Sequence, residues 1–157
     1  MTAGLQEGRK APAFTLETTA GKRRLADYAG QYLVLYFYPK DDTPGCTQEA
    51  LDFTAHAKAF EKAGAVVLGV SRDTLAKHEK FAAKHGLTVQ LGSDEDGKVS
   101  DAYGTWGEKT LYGRTYMGMN RVTLLIGPDG KIIRVWPKVK VKGHAQEVLE
   151  EINSRKG

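Results

Sequence analysis

The run Tyr32-Leu-Val-Leu-Tyr-Phe-Tyr38 is the most restrictive feature of this chain. Its shortness and aromatic content favour a strand over a helix. The lack of polar alternation requires that strand to be covered on both faces. Such a strand belongs in the middle of a sheet with further layers above and below. The residues after it decide the kind of layer. From Pro44 the apolar period lengthens, and Cys46, Ala50, Phe53, Ala57 and Phe60, spaced by four, three, four and three, make one stripe of a helix that Gly64 ends.

The alternation continues downstream. Residues 65–71 (AVVLGVS) read as a second buried strand, and Asp73 or Thr74 caps a helix to about His85 with Leu75 and Phe81 inward. A short strand over 88–91, a short helix after Asp96, and a hairpin of 121–126 with 131–136 around Pro128-Asp129-Gly130 come next. Residues 143–154 close the chain as an amphipathic helix carrying Ala145, Val148, Leu149 and Ile152. Near the N-terminus, FTLET and KRRL flank Ala20-Gly21 as a small hairpin. Helices between buried strands and a late hairpin predict an α/β sandwich with a mixed central sheet. The element order is that of a thioredoxin-like core with extra N-terminal strands. At 157 residues, without repeats or linker-like tracts, one domain over 1–157 is expected.

Charge narrows the partners. The 23 basic and 19 acidic residues give a net charge of +4, scattered except for Lys138, Lys140 and Lys142, which alternate with valines. That spacing predicts a solvated edge of an extended segment. No aromatic, basic face accompanies it, so nucleic acid is not an expected partner. No apolar stretch approaches a membrane span and the first residues show no apolar leader core, so a cytoplasmic protein away from membranes is expected. One cysteine excludes an internal disulfide framework and a cysteine-cluster metal site.

That cysteine is placed with purpose. Thr43 suits an N-cap, Pro44 the first helical position, and Gly45 permits another group to approach the backbone. Cys46 then falls in the first helical turn, among unpaired N–H groups at the positive end of the helix dipole, where a thiolate is favoured. The stripe turns it toward the core, away from open surface. The ordinary fate of a lone cysteine is structural burial, but burial alone would gain nothing from this lead-in.

Pro39, Thr43 and Cys46 form P-x-x-x-T-x-x-C, which resembles the active-site signature of peroxiredoxins. The wider string YFYPKDDTPGCTQEALDF is similar to the peroxiredoxin Q group, also called bacterioferritin comigratory protein. A second segment, YGTWGEKTLYGRTYMGMNRVTLLIGPDGKI, is similar to that group's second signature, with Arg121 in the place of its arginine. The resemblance implies a thiol-dependent peroxidase acting on hydrogen peroxide and organic hydroperoxides through a Cys46 sulfenic acid. It implies that Thr43 positions the peroxide, Arg121 holds the thiolate, and Pro39 shields it. Backbone groups near Gly45 would bind substrate and Glu49 would hold an arginine. No metal, flavin or haem is expected, and the group leans monomeric. Many members carry a second, resolving cysteine five residues after the first, where this chain has Leu51. Cys46 would therefore be reduced by an outside thiol: a thioredoxin-like protein, a small thiol, or the Cys46 of a second copy of the chain. The competing reading is a peroxide sensor that forms a mixed disulfide with a partner protein.

Three further features are expected to have no catalytic part. GSDEDGKV (92–99) nearly matches a phosphate loop, but Val99 lacks the hydroxyl and three acids would repel phosphate, so it reads as a turn and helix start. His56, His78, His85 and His144 have no metal-ligand company in sequence. His56 would stand about 15 Å along the helix from Cys46, too far to serve as its base. Trp106 and Tyr112 are expected in a loop before Arg121, as packing or rim groups.

Overall fold

A computed structural model describes residues 5–156. Nine strands and five α-helices build it: β1 (Thr15–Thr18), β2 (Gly21–Arg24), β3 (Tyr32–Phe37), α1 (Pro44–Ala55), α2 (Ala57–Lys62), β4 (Ala65–Ser71), α3 (Leu75–His85), β5 (Gln90–Ser93), α4 (Lys98–Ala102), β6 (Trp106–Leu111), β7 (Arg114–Met119), β8 (Val122–Ile126), β9 (Ile132–Trp136) and α5 (His144–Lys156). Seven strands form one mixed sheet in the order β2-β1-β5-β4-β3-β8-β9. Strands β3, β4 and β5 run parallel, while β1, β8 and β9 add antiparallel neighbours.

The expected central strand is β3, paired with β4 on one side and β8 on the other. Its side chains alternate between two apolar clusters. Val34, Tyr36 and Tyr38 pack with Cys46, Phe53, Phe60, Phe81 and Val148, under α1, α2, α3 and α5. Leu33, Leu35 and Phe37 pack on the opposite face with Phe14, Tyr103, Leu124 and Ile126, under α4 and a short 3-10 turn at Leu25–Tyr28. Each fully buried side chain of this strand contributes on the order of 1.5–3 kcal/mol of transfer free energy. No helix of the described residues is long and apolar enough to cross a membrane.

Several boundaries differ from expectation for identifiable reasons. The helix after Pro44 is broken at His56, whose ring Nδ1 lies 2.9 Å from the Asp52 carbonyl, and it resumes as α2. On α3 Phe81 is buried as expected and His78 is fully buried beside it, while Leu75 is only half-buried. The short strand lies at 90–93 rather than 88–91. Residues 138–142 are irregular rather than extended, yet the expected alternation survives: the three lysines are exposed and Val139 and Val141 are half-buried.

The largest difference is the segment before Arg121, a two-stranded antiparallel hairpin of β6 and β7 rather than a loop. Its turn is Tyr112-Gly113, both with positive φ (52° and 76°). That conformation suits a two-residue hairpin turn, but its usual marker is Asn-Gly, not Tyr-Gly. Tyr112 is 95% exposed at the tip, neither core nor pocket rim. Trp106, at the root, carries the Arg72 guanidinium 3.6 Å above its ring.

Candidate active site

Strand β3 delivers the chain to residue 38, and a five-residue loop carries it to α1. That loop is tied on both sides. The Tyr38 hydroxyl donates to Asp41 Oδ1 (2.5 Å), and His78 Nδ1 meets Asp41 Oδ2 (2.6 Å). His78 Nε2 lies 2.9 Å from the Gly92 carbonyl, which only accepts, so that nitrogen carries a proton. The Asp41 N–H donates to Asp73 Oδ2 (2.9 Å), which also accepts from the Ser71 hydroxyl (2.7 Å). Asp42, with φ 60°, is gripped by Lys84 (2.7 Å) and His85 (2.9 Å) at the end of α3, and Lys84 first and His85 second hold its carboxyl below the usual range.

The fold thus gives His78 the company it lacks in sequence. Asp41, Asp73 and His78 place one donor atom each within 4.8 Å of one another. These groups already engage each other or the backbone, so the cluster acts as a clasp from α3 and β5 onto the loop.

At the loop's end Thr43 is the N-cap residue and Pro44 the first helical one. The expected cap hydrogen bond is absent, because the Thr43 hydroxyl donates back to the Lys40 carbonyl (2.8 Å). Thr47 N–H takes the Thr43 carbonyl (2.8 Å), and Pro44 has no N–H. The N–H groups of Gly45 and Cys46 are therefore the helix start's available donors. Cys46 is 2% exposed, in the first turn, within the apolar cluster that also holds Tyr36 of β3 and Phe53 of its own helix.

Arg121 reaches the sulfur from the residue before β8. Its Nη2 lies 3.4 Å from Cys46 Sγ and its Nη1 donates to Glu49 Oε1 at 2.6 Å. A Cβ on Gly45 would meet Arg121 Nη2 at 3.2 Å, so the glycine gives the guanidinium its way in. Glu49 is one turn past Cys46 and 1% exposed. Burial pushes its carboxyl up to about 7, with Arg121 opposing. The same pair, with Cys46, holds the Arg121 charge more firmly than usual against its own desolvation. Three buried side-chain oxygens of the described residues have no hydrogen-bond partner: Tyr36 Oη, Thr47 Oγ1 and Glu49 Oε2. All lie on β3 or α1, the two elements that lead into and carry Cys46.

Of the residues singled out from sequence, Cys46, Gly45, Glu49 and Arg121 meet within one cluster. Thr43 and Pro39 stand on the loop that enters it, with Pro39 half-buried. Leu51 is half-buried on α1 rather than in the core. The phosphate-loop decoy is a helix start: Asp94, buried, accepts from the N–H groups of Val99 (3.0 Å) and Ser100 (2.7 Å). His56 faces Gln146 on α5, and His144 meets Thr123 (2.8 Å) under the sheet. Sequence reasoning missed the Asp41–His78 clasp, whose partners are separated by 37 positions. It also passed over Lys109, whose ammonium donates to the Met119 carbonyl (2.8 Å). The only signal for Lys109 was its place inside the second signature.

Chemically, the cluster pairs a nearly enclosed sulfur with a fixed cation and two free backbone donors. It fits a nucleophilic sulfur attacking a small electrophile with charge developing beside it.

Comparison with known proteins agrees. Residues 8–135 match the AhpC/TSA family. Peroxiredoxin Bcp of Bacillus subtilis is 45% identical over 149 residues, covering 94% of this chain and 95% of that protein. Among solved structures, the bacterioferritin comigratory protein of Xanthomonas campestris, studied for alkyl peroxide reduction, superposes with a TM-score of 0.89 at 41% identity, covering 97% of this chain and 100% of that one. A cysteine-to-serine mutant of Xylella fastidiosa PrxQ gives 0.93 at 40% identity, with 99% of each chain covered.

Proposed function

The chain belongs to the AhpC/TSA family, among the peroxiredoxins of the Bcp (Q) group, and from that premise we propose that Cys46 is its peroxidatic nucleophile in a one-cysteine cycle. The observation that carries the reading is the Arg121 guanidinium bridging Cys46 Sγ at 3.4 Å and Glu49 Oε1 at 2.6 Å.

The Cys46 thiolate attacks the terminal oxygen of a hydroperoxide, the O–O bond breaks, and the leaving oxygen takes a proton as water or an alcohol. Cys46 is left as a sulfenic acid. Arg121 stabilises the anionic sulfur before attack and the developing oxyanion after it. The N–H groups of Gly45 and Cys46 donate to the bound peroxide. The Thr43 hydroxyl has committed its proton to Lys40, so it serves the peroxide as an acceptor, which orients the attacked oxygen toward the sulfur. Pro39 limits water at the loop. Glu49 fixes the guanidinium, as a positioning residue.

No second cysteine exists in the chain, so the sulfenic acid is resolved from outside. A thiol attacks the sulfur, water leaves, and a second thiol releases Cys46 from the mixed disulfide. The donor is a small thiol or a thioredoxin-like protein. A monomer in the cytoplasm, where such donors stay reduced, completes the reading. Peroxide consumption in the presence of a thiol, followed for wild type and Cys46→Ser, tests it: the variant is expected to be inactive, and full activity in it would overturn the assignment. A +O species at Cys46 by intact mass is the expected intermediate.

A further inference from the structure

From Glu108 to Met117 the hairpin residues are exposed, with one exception, Lys109. A lysine on a solvated ribbon gains most by staying in water, since its ammonium is strongly hydrated. This one instead folds inward. Its stem crosses β7 over Gly118, where a Cβ would lie 3.0 Å from Lys109 Cδ, and its Nζ donates to the Met119 carbonyl at 2.8 Å. Met119 is two residues before Arg121, and the same hairpin root is pinned by the Asn120 N–H on the Thr105 carbonyl (2.8 Å). Glycine at 118 is thus the opening through which the stem crosses the ribbon and the ammonium reaches the hairpin root, beside the segment that carries Arg121.

We propose that Lys109 is a second cation of the Cys46 site, carried in by the β6–β7 hairpin and latched on the Met119 carbonyl, and that it favours negatively charged reactants at the sulfur. This rests on Cys46 being the reacting group. Arg121 is committed to Sγ and to Glu49 through two of its nitrogens. Lys109 spends one of its three protons on Met119, leaving its charge to act on whatever approaches Cys46. The latch sets the ammonium on the backbone two residues before Arg121, the residue that touches Sγ. Partial burial and the neighbouring Arg121 charge lower the Lys109 ammonium from its usual value, while Cys46 opposes them. Glu108 and Thr110, its strand neighbours, point to the opposite face and are exposed. The reactants favoured by this arrangement are carboxylate-bearing hydroperoxides in the oxidising half and anionic thiols in the reducing half.

The test is alkylation of reduced Cys46 by iodoacetate, which is anionic, and by iodoacetamide, its neutral isostere, in wild type, Lys109→Met, Lys109→Gln and Lys109→Arg. The iodoacetate-to-iodoacetamide rate ratio is expected to fall roughly three- to tenfold in the Met and Gln variants and to be retained in Arg. The wild-type advantage should shrink in about 1 M salt. A change that slows both reagents equally, or no change, would mean that Lys109 only braces the hairpin and would overturn the proposal. Because the readout needs no peroxide turnover, it stands or falls separately from the Cys46→Ser assay.

Discussion

Cys46 and Glu49 stand on a helix packed against a buried central strand of the sheet, whereas Arg121 lies between β8 and a hairpin whose outer half is solvent-exposed, and Lys109 reaches back from that hairpin to its root. On the first side every neighbour is fixed. Phe53 stacks on Tyr36 with centroids 4.8 Å apart, and the Asp41–His78 clasp holds the incoming loop. On the second side the tip is a paired two-stranded ribbon that exposes Leu111, Tyr112, Tyr116 and Met117. Cys46 is therefore held by the core, while the two cations of the proposed site come from the junction of that ribbon with β8 and from the ribbon itself. Position and field are supplied by separate parts of the molecule, and each can be perturbed without the other.

The sharpest break is expected at the contact that joins the two sides. Arg121→Met removes the guanidinium from Sγ and should lower kcat/KM for peroxide about 10²- to 10³-fold, measured by stopped-flow consumption. Retention of the wild-type rate would show that the core side suffices alone. Glu49→Gln probes the same joint through pH. The native carboxyl sits near 7, above the ordinary 4.5, so its folded form prefers a proton. Its stabilising contribution is complete below about pH 4.5 and is lost as pH rises through 7. Relative to Glu49→Gln, wild type should lose up to about 3 kcal/mol between pH 4.5 and 7.5 in urea titrations.

The core side has an opposite titration. Burial lowers His144 to about 4 from 6.5, so the neutral ring is the folded form, edge-on to Phe53 and Trp136. The stability it contributes is full above pH 6.5 and drains as pH falls toward 4. Melting curves of His144→Gln should lose that acid-side slope, worth on the order of 3 kcal/mol at most. The smallest effect belongs to the hairpin tip: Tyr112→Ser should change unfolding free energy by less than about 0.5 kcal/mol, and activity hardly at all. A large loss of activity there would give the ribbon's outer half a part in the chemistry.

What could be read from sequence divides along the same line. The core side was legible because periodicity reports burial: β3 as a continuous apolar run, α1 as a stripe, and Cys46 at its start. The break at His56 was not, since a side chain capturing its own helix carbonyl leaves the apolar spacing intact. The hairpin was invisible for the converse reason. Its strands bury little beyond their root, so WGEKTL and RTYMGM carry no two-residue apolar period, and Tyr-Gly stands where Asn-Gly would have signalled the turn. Arg121 was found through its motif rather than through any physical pattern. The clasp needed the fold, because β4 and α3 must first bring His78 and Asp73 to the loop.

The presence of a single cysteine in this chain also sets the order of its kinetics. With two cysteines the oxidised form decays by an internal step at a rate fixed by the fold. Here that decay is bimolecular, so the lifetime of oxidised Cys46 is inversely proportional to donor concentration. At steady state the oxidised fraction is then a ratio of two supplies, peroxide arriving and thiol arriving, with no internal resolving step to buffer it. When donor runs low the sulfur waits as sulfenic acid, the form from which a further peroxide oxidises a cysteine to the sulfinic state. The balance between turnover and self-inactivation is thereby handed to the composition of the surrounding thiol pool.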